Sequence, residues 1–367
     1  MDREAVVAAL ALRSARGVGD RVFKLLVERF GSADAALKTS VAELLGVAGL
    51  SAPLAEAIRE AAPNRDFASR ELDRAQALGI GLVPFGSPGY PRLLAEVPDP
   101  PAVLYLAGQL EVRDEMSVAI VGSRGASPHG TRFARKLARD LASAGITVVS
   151  GLAQGVDAAA HQGALDAGGR TLAVFGSGLD VIFPRRHGEL ARRVRSSGVW
   201  VSELALGSKP LAHHFPRRNR VISGLSLGVV VIEAGPKSGS LITASCALDQ
   251  GRDVFAVPGL PGSHQSRGAH ELLRSGAKLV ERAEDVLVEL PVGRPQLRPE
   301  SAEQERGPPP GHEKLWKALD DSPSHIDEIG IRCGLRAAET AAGLMELVLS
   351  GHAEEWPGKR YARKQPD

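Results

Sequence analysis

Ser117-Val118-Ala119-Ile120-Val121-Gly122-Ser123-Arg124 is an apolar run that stops on a glycine, a hydroxyl and a guanidinium, and Gly130 then opens a helical pattern. A short apolar run, a glycine turn and about a dozen helical residues read as a buried strand feeding a crossover helix. The unit recurs down the chain. Strands are expected at 117–121, 146–149, 171–175, 199–201, 227–232, 254–257 and 278–280, with helices between them, for example at 130–144 and 243–250. This alternation predicts an α/β domain built on a parallel, doubly wound sheet. Ligands on such sheets sit beyond the carboxyl ends of the strands, and the distinctive residues of this sequence fall there.

Charge is unevenly spread. The 367-residue chain carries a formal net charge of +2, yet 15 Lys or Arg face 6 Asp or Glu between Met116 and Arg220. The excess of nine predicts one basic working surface for a phosphate-rich partner, with nucleic acid the first candidate. Cys246 and Cys333 are the only cysteines, so neither a disulfide framework nor a Cys/His metal cluster is expected. The charged start Met1-Asp2-Arg3-Glu4 and the lack of a long apolar run lead to the expectation of a cytoplasmic protein without a membrane span.

Outside the sheet region the chain changes character. Residues 1–65 are Ala/Leu-rich and helical, with breaks at Arg16-Gly17-Val18-Gly19 and Gly46-Val47-Ala48-Gly49. This is the pattern of a sterile-alpha-motif-like or helix-hairpin-helix domain, whose turn N–H groups can face phosphate; a plain packed bundle fits as well. Residues 66–290, which begin with a helix at 66–78 and strands at 81–84 and 103–106, form the main domain. Residues 291–311 read as a Pro/Gly-rich linker. From 312 to 367, helices at 315–319, 324–330 and 337–350 before a β-ribbon suggest a winged helix, although its net charge of −2 does not mark it as a DNA-binding surface.

The rim motifs follow strand ends. Gly122, Ser123 and Arg124 combine close backbone approach, a hydroxyl and a planar phosphate fork. After the second strand come Ser150, Gly151, Ala153 and Gly155, then Asp157, placed as a helix N-cap, and His161 one turn on. An acid/base pair is one reading of the last two; a cap and a packed histidine is the other. Gly178 follows the third strand, and Arg185 follows Phe183-Pro184. Phe215, Arg217, Arg218, Asn219 and Arg220 crowd a helix start, with Phe215 either a stacking platform or core filler. Ser238, Gly239 and Ser240 feed another helix start, an anion site by geometry.

Several chemistries are excluded. Gly122, Gly125 and Gly130 do not have the spacing of a dinucleotide fingerprint, and no Lys-Ser/Thr pair follows Gly239 as in a Walker loop. Adjacent His213 and His214 cannot share a helix face as zinc ligands do. No cofactor or metal is expected.

Taken in order, Gly122-Ser123-Arg124, the run from Ser150 to Asp157 with Ala160-His161, Phe215-Pro216-Arg217-Arg218-Asn219-Arg220, Ser238-Gly239-Ser240-Leu241-Ile242-Thr243-Ala244, Val257-Pro258-Gly259 and Gly276-Ala277 resemble the DNA-processing protein A (DprA, or Smf) family over roughly residues 80 to 290. The resemblance implies an extended Rossmann-like domain that binds single-stranded DNA and forms homodimers. It further implies protection of incoming strands in natural transformation and loading of the RecA recombinase past single-strand-binding protein. Duplex DNA binding by a flanking domain fits the same picture. DNA contacts are implied at Gly122, Ser123 and Arg124, at the Ser150–Gly155 turn, at Arg185, around Arg218 and at Ser238–Ser240. Some relatives carry a lysine just before the Phe-Pro segment, where this chain has Ala212-His213-His214; Lys209 is the nearby substitute. A second class is a nucleotide phosphoribohydrolase of similar fold, but Thr243 stands where its catalytic glutamate would be. A transcription factor acting through the winged helix is a weaker third.

Overall fold

A computed structural model describes residues 2–61, 65–290, 311–320 and 322–363. The chain divides into two compact units, Met1–Leu297 and Arg298–Asp367. The proposed linker at 291–311 lies, apart from Gly311, outside the described residues.

The first unit opens with α1 (Arg3–Ser14), α2 (Asp20–Phe30), α3 (Ala33–Lys38), α4 (Val41–Leu45), α5 (Ala52–Ala61) and α6 (Arg65–Ala77). Both glycine breaks are turns between helices, and Gly17 adopts φ 90°, a conformation glycine reaches without steric penalty. These helices do not enclose a core of their own. Val6, Leu12, Phe23, Leu26 and Leu72 share one buried cluster with Tyr105, Phe175 and Trp200 of the sheet region. The buried Glu71 carboxylate accepts the Tyr105 hydroxyl at 3.0 Å and the Leu206 N–H at 2.8 Å, locking α6 to that region.

The sheet follows. Its strands and helices are β1 (Gly81–Pro84), α7 (Arg92–Ala95), β2 (Val103–Ala107), β3 (Ser117–Gly122), α8 (Pro128–Ser143), β4 (Thr147–Ser150), α9 (Val156–Asp166), β5 (Thr171–Val174), α10 (Gly188–Ser197), β6 (Val199–Ser202), α11 (His214–Gly224), β7 (Gly228–Ile232), α12 (Gly239–Asp249), β8 (Asp253–Ala256), α13 (Arg267–Arg274), β9 (Lys278–Leu279) and α14 (Ala283–Leu287). The nine strands lie in the order β1-β2-β6-β5-β4-β3-β7-β8-β9. From β6 to β9 every neighbouring pair is parallel, as the apolar runs predict. The departure is at one edge, where β1 and β2 form an antiparallel pair and β2 runs antiparallel to β6. The sheet is therefore mixed.

Each face is covered by helices. Ala134, Leu137, Leu141, Val156 and Ala160 of α8 and α9 bury Val118, Ile120, Val148 and Val230 on one face. Val221, Ile222, Ala244 and Ala247 of α11 and α12 bury Ala119, Val121, Val149 and Val231 on the other. Alternate residues of β3 thus serve opposite layers, which is why its sequence is apolar without a break. Chain order runs outward from β3 through β4, β5 and β6, then returns to β7 on its other side. The β3–β7 boundary is therefore the topological switch point, where a crevice opens at the strand ends.

The second unit contains α15 (Glu313–Ala318), β10 (Ser324–His325), α16 (Ile326–Cys333), α17 (Ala337–Leu349), β11 (Ala353–Trp356) and β12 (Arg360–Arg363). Leu315, Ile329, Leu344, Leu347 and Tyr361 form its core. The helix expected from Ser324 starts two residues later, because Ser324 and His325 pair with Tyr361 and Arg360 and add a third strand to the ribbon. Gly334, at φ 65°, turns the chain between α16 and α17. Three helices and a three-stranded sheet make a winged helix.

Candidate nucleic-acid interface

The rim beyond β3, β4, β5 and β7 is built by close backbone approaches that only glycine permits. A Cβ on Gly122 would stand 1.9 Å from the Ile232 carbonyl oxygen. One on Gly155, which has φ 81°, would stand 2.3 Å from the Ser123 carbonyl oxygen. The first seats the end of β3 against the end of β7, and the second presses the first and second loops together. The Val156 N–H donates to the Ser123 carbonyl at 3.3 Å, and the Ser123 hydroxyl accepts the Gly125 N–H at 3.2 Å.

That pressure also corrects the expected cap. The α9 helix starts at Val156 with Gly155 as its cap residue. Asp157 lies inside the first turn rather than at the N-cap, and its carboxylate reaches back to the Ala153 N–H at 3.3 Å. Burial pushes the Asp157 carboxyl above its ordinary pKa, against the pull of the Arg218 and Arg124 charges and the loop N–H groups. His161 is fully buried. The Thr171 hydroxyl donates to the Val148 carbonyl, so His161 Nδ1 supplies the proton in its 2.7 Å bond to that hydroxyl. Burial, helped by the Arg218 and His187 charges, lowers the His161 pKa to about 3 and keeps the ring neutral.

Arg218 is the post behind this loop. It is 4 % exposed, and Nη1 donates to the carbonyls of Gly151, at 2.7 Å, and Val174. A Cβ on Gly151 would stand 2.4 Å from that same nitrogen. Burial lowers the Arg218 pKa to about 10, partly offset by Asp157. Asn219, also buried, donates from Nδ2 to the Gly239 carbonyl at 3.0 Å and ties α11 to the start of α12. Ser238 caps α12, its hydroxyl 2.7 Å from that of Ser240. Gly239 has open space where its side chain would be.

The residues expected to touch DNA therefore separate into two groups. Arg124, Arg185 and Lys209 are exposed and have no carboxylate within ion-pair distance among the described residues. Phe215 is half-buried; its ring packs over Gly176, where a Cβ would be 2.8 Å away, and lies 5.7 Å from the Phe183 ring. The Arg124 guanidinium is 5.4 Å from the Phe215 centroid. By contrast, Ser150 is buried and its hydroxyl donates to the Ile120 carbonyl at 2.6 Å. Gly178 is hemmed in by the Ala205 carbonyl, 2.7 Å from a built Cβ. Arg220 is committed to Glu203 and Asp20, and Arg217 binds Asp20 at 2.6 Å and Glu203 at 3.1 Å. Ser150, Arg218, Asn219 and Arg220 build the rim from behind.

Two residues on the rim were not among those the sequence pointed to. Phe183, 44 % exposed, pairs with Phe215; its place before Pro184-Arg185 is the only signal. Glu233 directly follows β7 with φ 49°, and its carboxylate accepts the Ser127 N–H at 2.7 Å and the Ser127 hydroxyl, anchoring the start of α8. A Cβ on Gly130 would strike that carboxylate, so the glycine is the trace of it in the sequence.

With this geometry in view, the family described as DNA recombination-mediator protein A matches residues 81–291. The chain belongs to that family. Residues 299–359 match a family described as the DprA winged helix domain. Protein Smf of Synechocystis is 35 % identical over 97 % of this chain and 98 % of its own length, and Protein Smf of Escherichia coli is 42 % identical over 76 % of each. Among solved structures, DNA processing protein A from Streptococcus pneumoniae superposes with a TM-score of 0.70 at 33 % identity, covering 80 % of this chain and 99 % of that one. The protein of that name from Helicobacter pylori, described by its single-stranded DNA binding mode, has a TM-score of 0.51 at 30 % identity, covering 56 % and 93 %. Among the described residues no helix is long and apolar enough to cross a membrane.

Proposed function

We propose that this member of the family binds single-stranded DNA along the rim and acts as a recombination mediator without catalysis of its own. The observation that carries the reading is a rim with three exposed cations, Arg124, Arg185 and Lys209, that have no carboxylate partner among the described residues, together with the Phe183–Phe215 pair beyond β5, over which Arg124 reaches. Cations take phosphates and an aromatic pair takes a base face, which together suit a single strand. The description of the Helicobacter pylori relative supports carrying that ligand over. Protection of incoming strands in natural transformation, loading of RecA past single-strand-binding protein, homodimer formation and a cytoplasmic location complete the proposal.

The hydrolase alternative lacks its acid. Thr243 is 1 % exposed within α12, and Glu233, the carboxylate just after β7, is held by Ser127. A phosphoribohydrolase needs a carboxylate free to move a proton. Incubation with AMP, followed by chromatography, is expected to leave the nucleotide intact; release of free adenine, abolished in a Glu233→Gln variant, would establish the enzyme instead. The binding test is fluorescence anisotropy with single-stranded and duplex DNA at two salt concentrations. Preference for the single strand, weakening as salt rises, is expected; equal affinity at both salts sinks the proposal.

A further inference from the structure

The basic excess between Met116 and Arg220 does not lie on one surface. Four of the 15 Lys and Arg project from α8 and three from α10, whereas Arg170, Arg218 and Arg220 are buried in the fold. Helices α8 and α10 flank α9 on one face of the sheet. Between those two basic helices α9 is made largely of small residues, and it packs so closely that a Cβ on Gly163 would stand 2.0 Å from the Arg135 carbonyl oxygen. The carboxylates of these three helices are Asp140, Asp166, Glu189 and the buried Asp157, and α14, packed beside α8, adds Glu284 and Asp285. Asp166 joins Arg135, at 2.6 Å, to Arg193, at 4.0 Å, and Asp140 holds Lys136 and Arg139. Arg132 and Arg192 are exposed and have no carboxylate partner among the described residues.

An open cleft of about 360 Å³ connects this face to the rim. It begins at Arg124 and Gln154 and runs between α8 and α9, past Thr131, Arg135, Ala158 and Gln162. Arg186 donates to the Gln154 side-chain carbonyl, bringing the segment before α10 against the same mouth.

We propose that the cleft between α8 and α9, together with the basic helices α8 and α10 on either side of α9, forms a second segment of the DNA track, holding the phosphates of nucleotides adjacent to those at the rim. This rests on the rim being a single-strand site. Arg124 belongs to both parts, so one strand passes from the aromatic pair to the cleft without a break. The volume is at the lower end of the ~300–1,000 Å³ range of ligand pockets, which suits one sugar–phosphate backbone and not a paired duplex. Phe133, the one Phe, Tyr or Trp of α8, packs against the core, so apart from the exposed His129 ring at the start of α8 this segment offers charge and amide groups. Its contribution is therefore indifferent to base identity and sensitive to salt.

The test uses the full chain and fluorescence anisotropy with oligothymidylates of about 6 and about 30 nucleotides, chosen around the ~4–16-nucleotide footprints of single-strand-binding folds. In the variant Arg132→Glu/Arg192→Glu, affinity for the longer strand is expected to fall at least tenfold, and its log–log salt slope to shrink by about 0.7 for each phosphate no longer neutralised. Affinity for the short strand and the melting temperature should be unchanged. Arg132→Gln/Arg192→Gln, which introduces no new charge, should show the same pattern at smaller amplitude. Wild-type affinity and slope for the longer strand in both variants would overturn the track and leave the rim reading intact. An equal loss for both lengths would also overturn it, since general electrostatics would then suffice, as would a loss confined to duplex DNA. Failure of the wild type to bind the short strand, or indifference of that binding to Arg124→Ala, would instead sink the rim.

Discussion

The Arg124 guanidinium lies 5.4 Å from the centroid of the Phe215 ring, and the Phe183 ring lies 5.7 Å from the same ring on a tilted approach. A cation and two aromatic faces thus converge where the β3 loop meets the start of α11. Phosphate and base can be held side by side there. Arg124→Ala is expected to weaken single-strand binding by about 1.5–3 kcal/mol, the scale of a hydrogen bond to a charged group. Arg124→Lys should recover part of this, since lysine keeps the charge and loses the fork. Phe215→Ala should remove about 1–3 kcal/mol, the usual worth of one stacked base. Titrations with circular dichroism controls check both; full affinity in either variant with an intact fold returns that residue to a packing role.

Two glycines should respond oppositely. Gly239 has open space at its Cβ position and an ordinary φ, so Gly239→Val should leave the melting temperature near wild type while obstructing the anion space at the start of α12. Gly151→Ala drives a methyl to 2.4 Å from a buried arginine nitrogen, an overpacking expected to cost about 1–3 kcal/mol of stability. Melting curves and binding isotherms measured together separate the cases. A Gly239→Val protein that loses stability before binding would contradict the geometry.

Glu203→Ala should destabilise the first unit strongly. The Glu203 side chain is 3 % exposed, and that of its partner Arg220 is 9 % exposed; with Asp20 they tie α11 to the start of α2. Loss of Glu203 leaves Arg217 and Arg220 to share Asp20, so the buried charge is only partly compensated and the cost should reach about 3 kcal/mol, the lower end for breaking a buried pair. Urea denaturation gives the number. A change in midpoint equivalent to less than about 1 kcal/mol would show that water replaces the carboxylate at no great cost.

His161 predicts an acid-sensitive fold. Its pKa is about 3 when folded against an ordinary value of 6.5, so between those limits the unfolded chain binds a proton that the folded chain does not. Stability then rises with pH through this window and falls as pH drops below about 6.5, at about 1 kcal/mol per unit near the steep part. Asp157 acts in the opposite sense, because its raised pKa makes the folded chain the better proton acceptor above the ordinary carboxyl value. Denaturant midpoints from pH 7 to 4 should therefore fall in the wild type and fall less in His161→Gln. Parallel profiles would assign the acid sensitivity elsewhere.

The alternation of apolar runs with helical stretches was sufficient for the parallel part of the sheet, because a strand buried on both faces is mostly apolar, its few polar side chains such as Ser150 and Thr171 hydrogen-bonded within the fold, and a crossover must span its length. The antiparallel edge was not legible: β2, with all five residues buried, looks in sequence like any interior strand. Register and direction depend on which neighbour supplies the hydrogen bonds.

The rim was legible as a set of loops and illegible as a set of contacts. Gly122 and Gly155 stood out because backbone must approach backbone there, and Gly151 because the Arg218 guanidinium lies against it; local sequence records such close approaches as glycine. Arg124, after a glycine turn, and Arg218, at a helix start, were both expected to touch DNA, yet one is exposed over an aromatic ring and the other is buried under two carbonyls. The tally of charge between Met116 and Arg220 likewise implied one surface. By itself the sequence determined the strand order's raw material, the glycine turns and the kind of ligand that a basic, hydroxyl-rich rim suits. Only the tertiary structure decided which arginines face solvent, which are spent on Asp20 and Glu203, and that α8 and α10 share a face. Burial and ion pairing join residues as far apart as Asp20 and Arg220, and that pairing is fixed only once the chain has closed on itself.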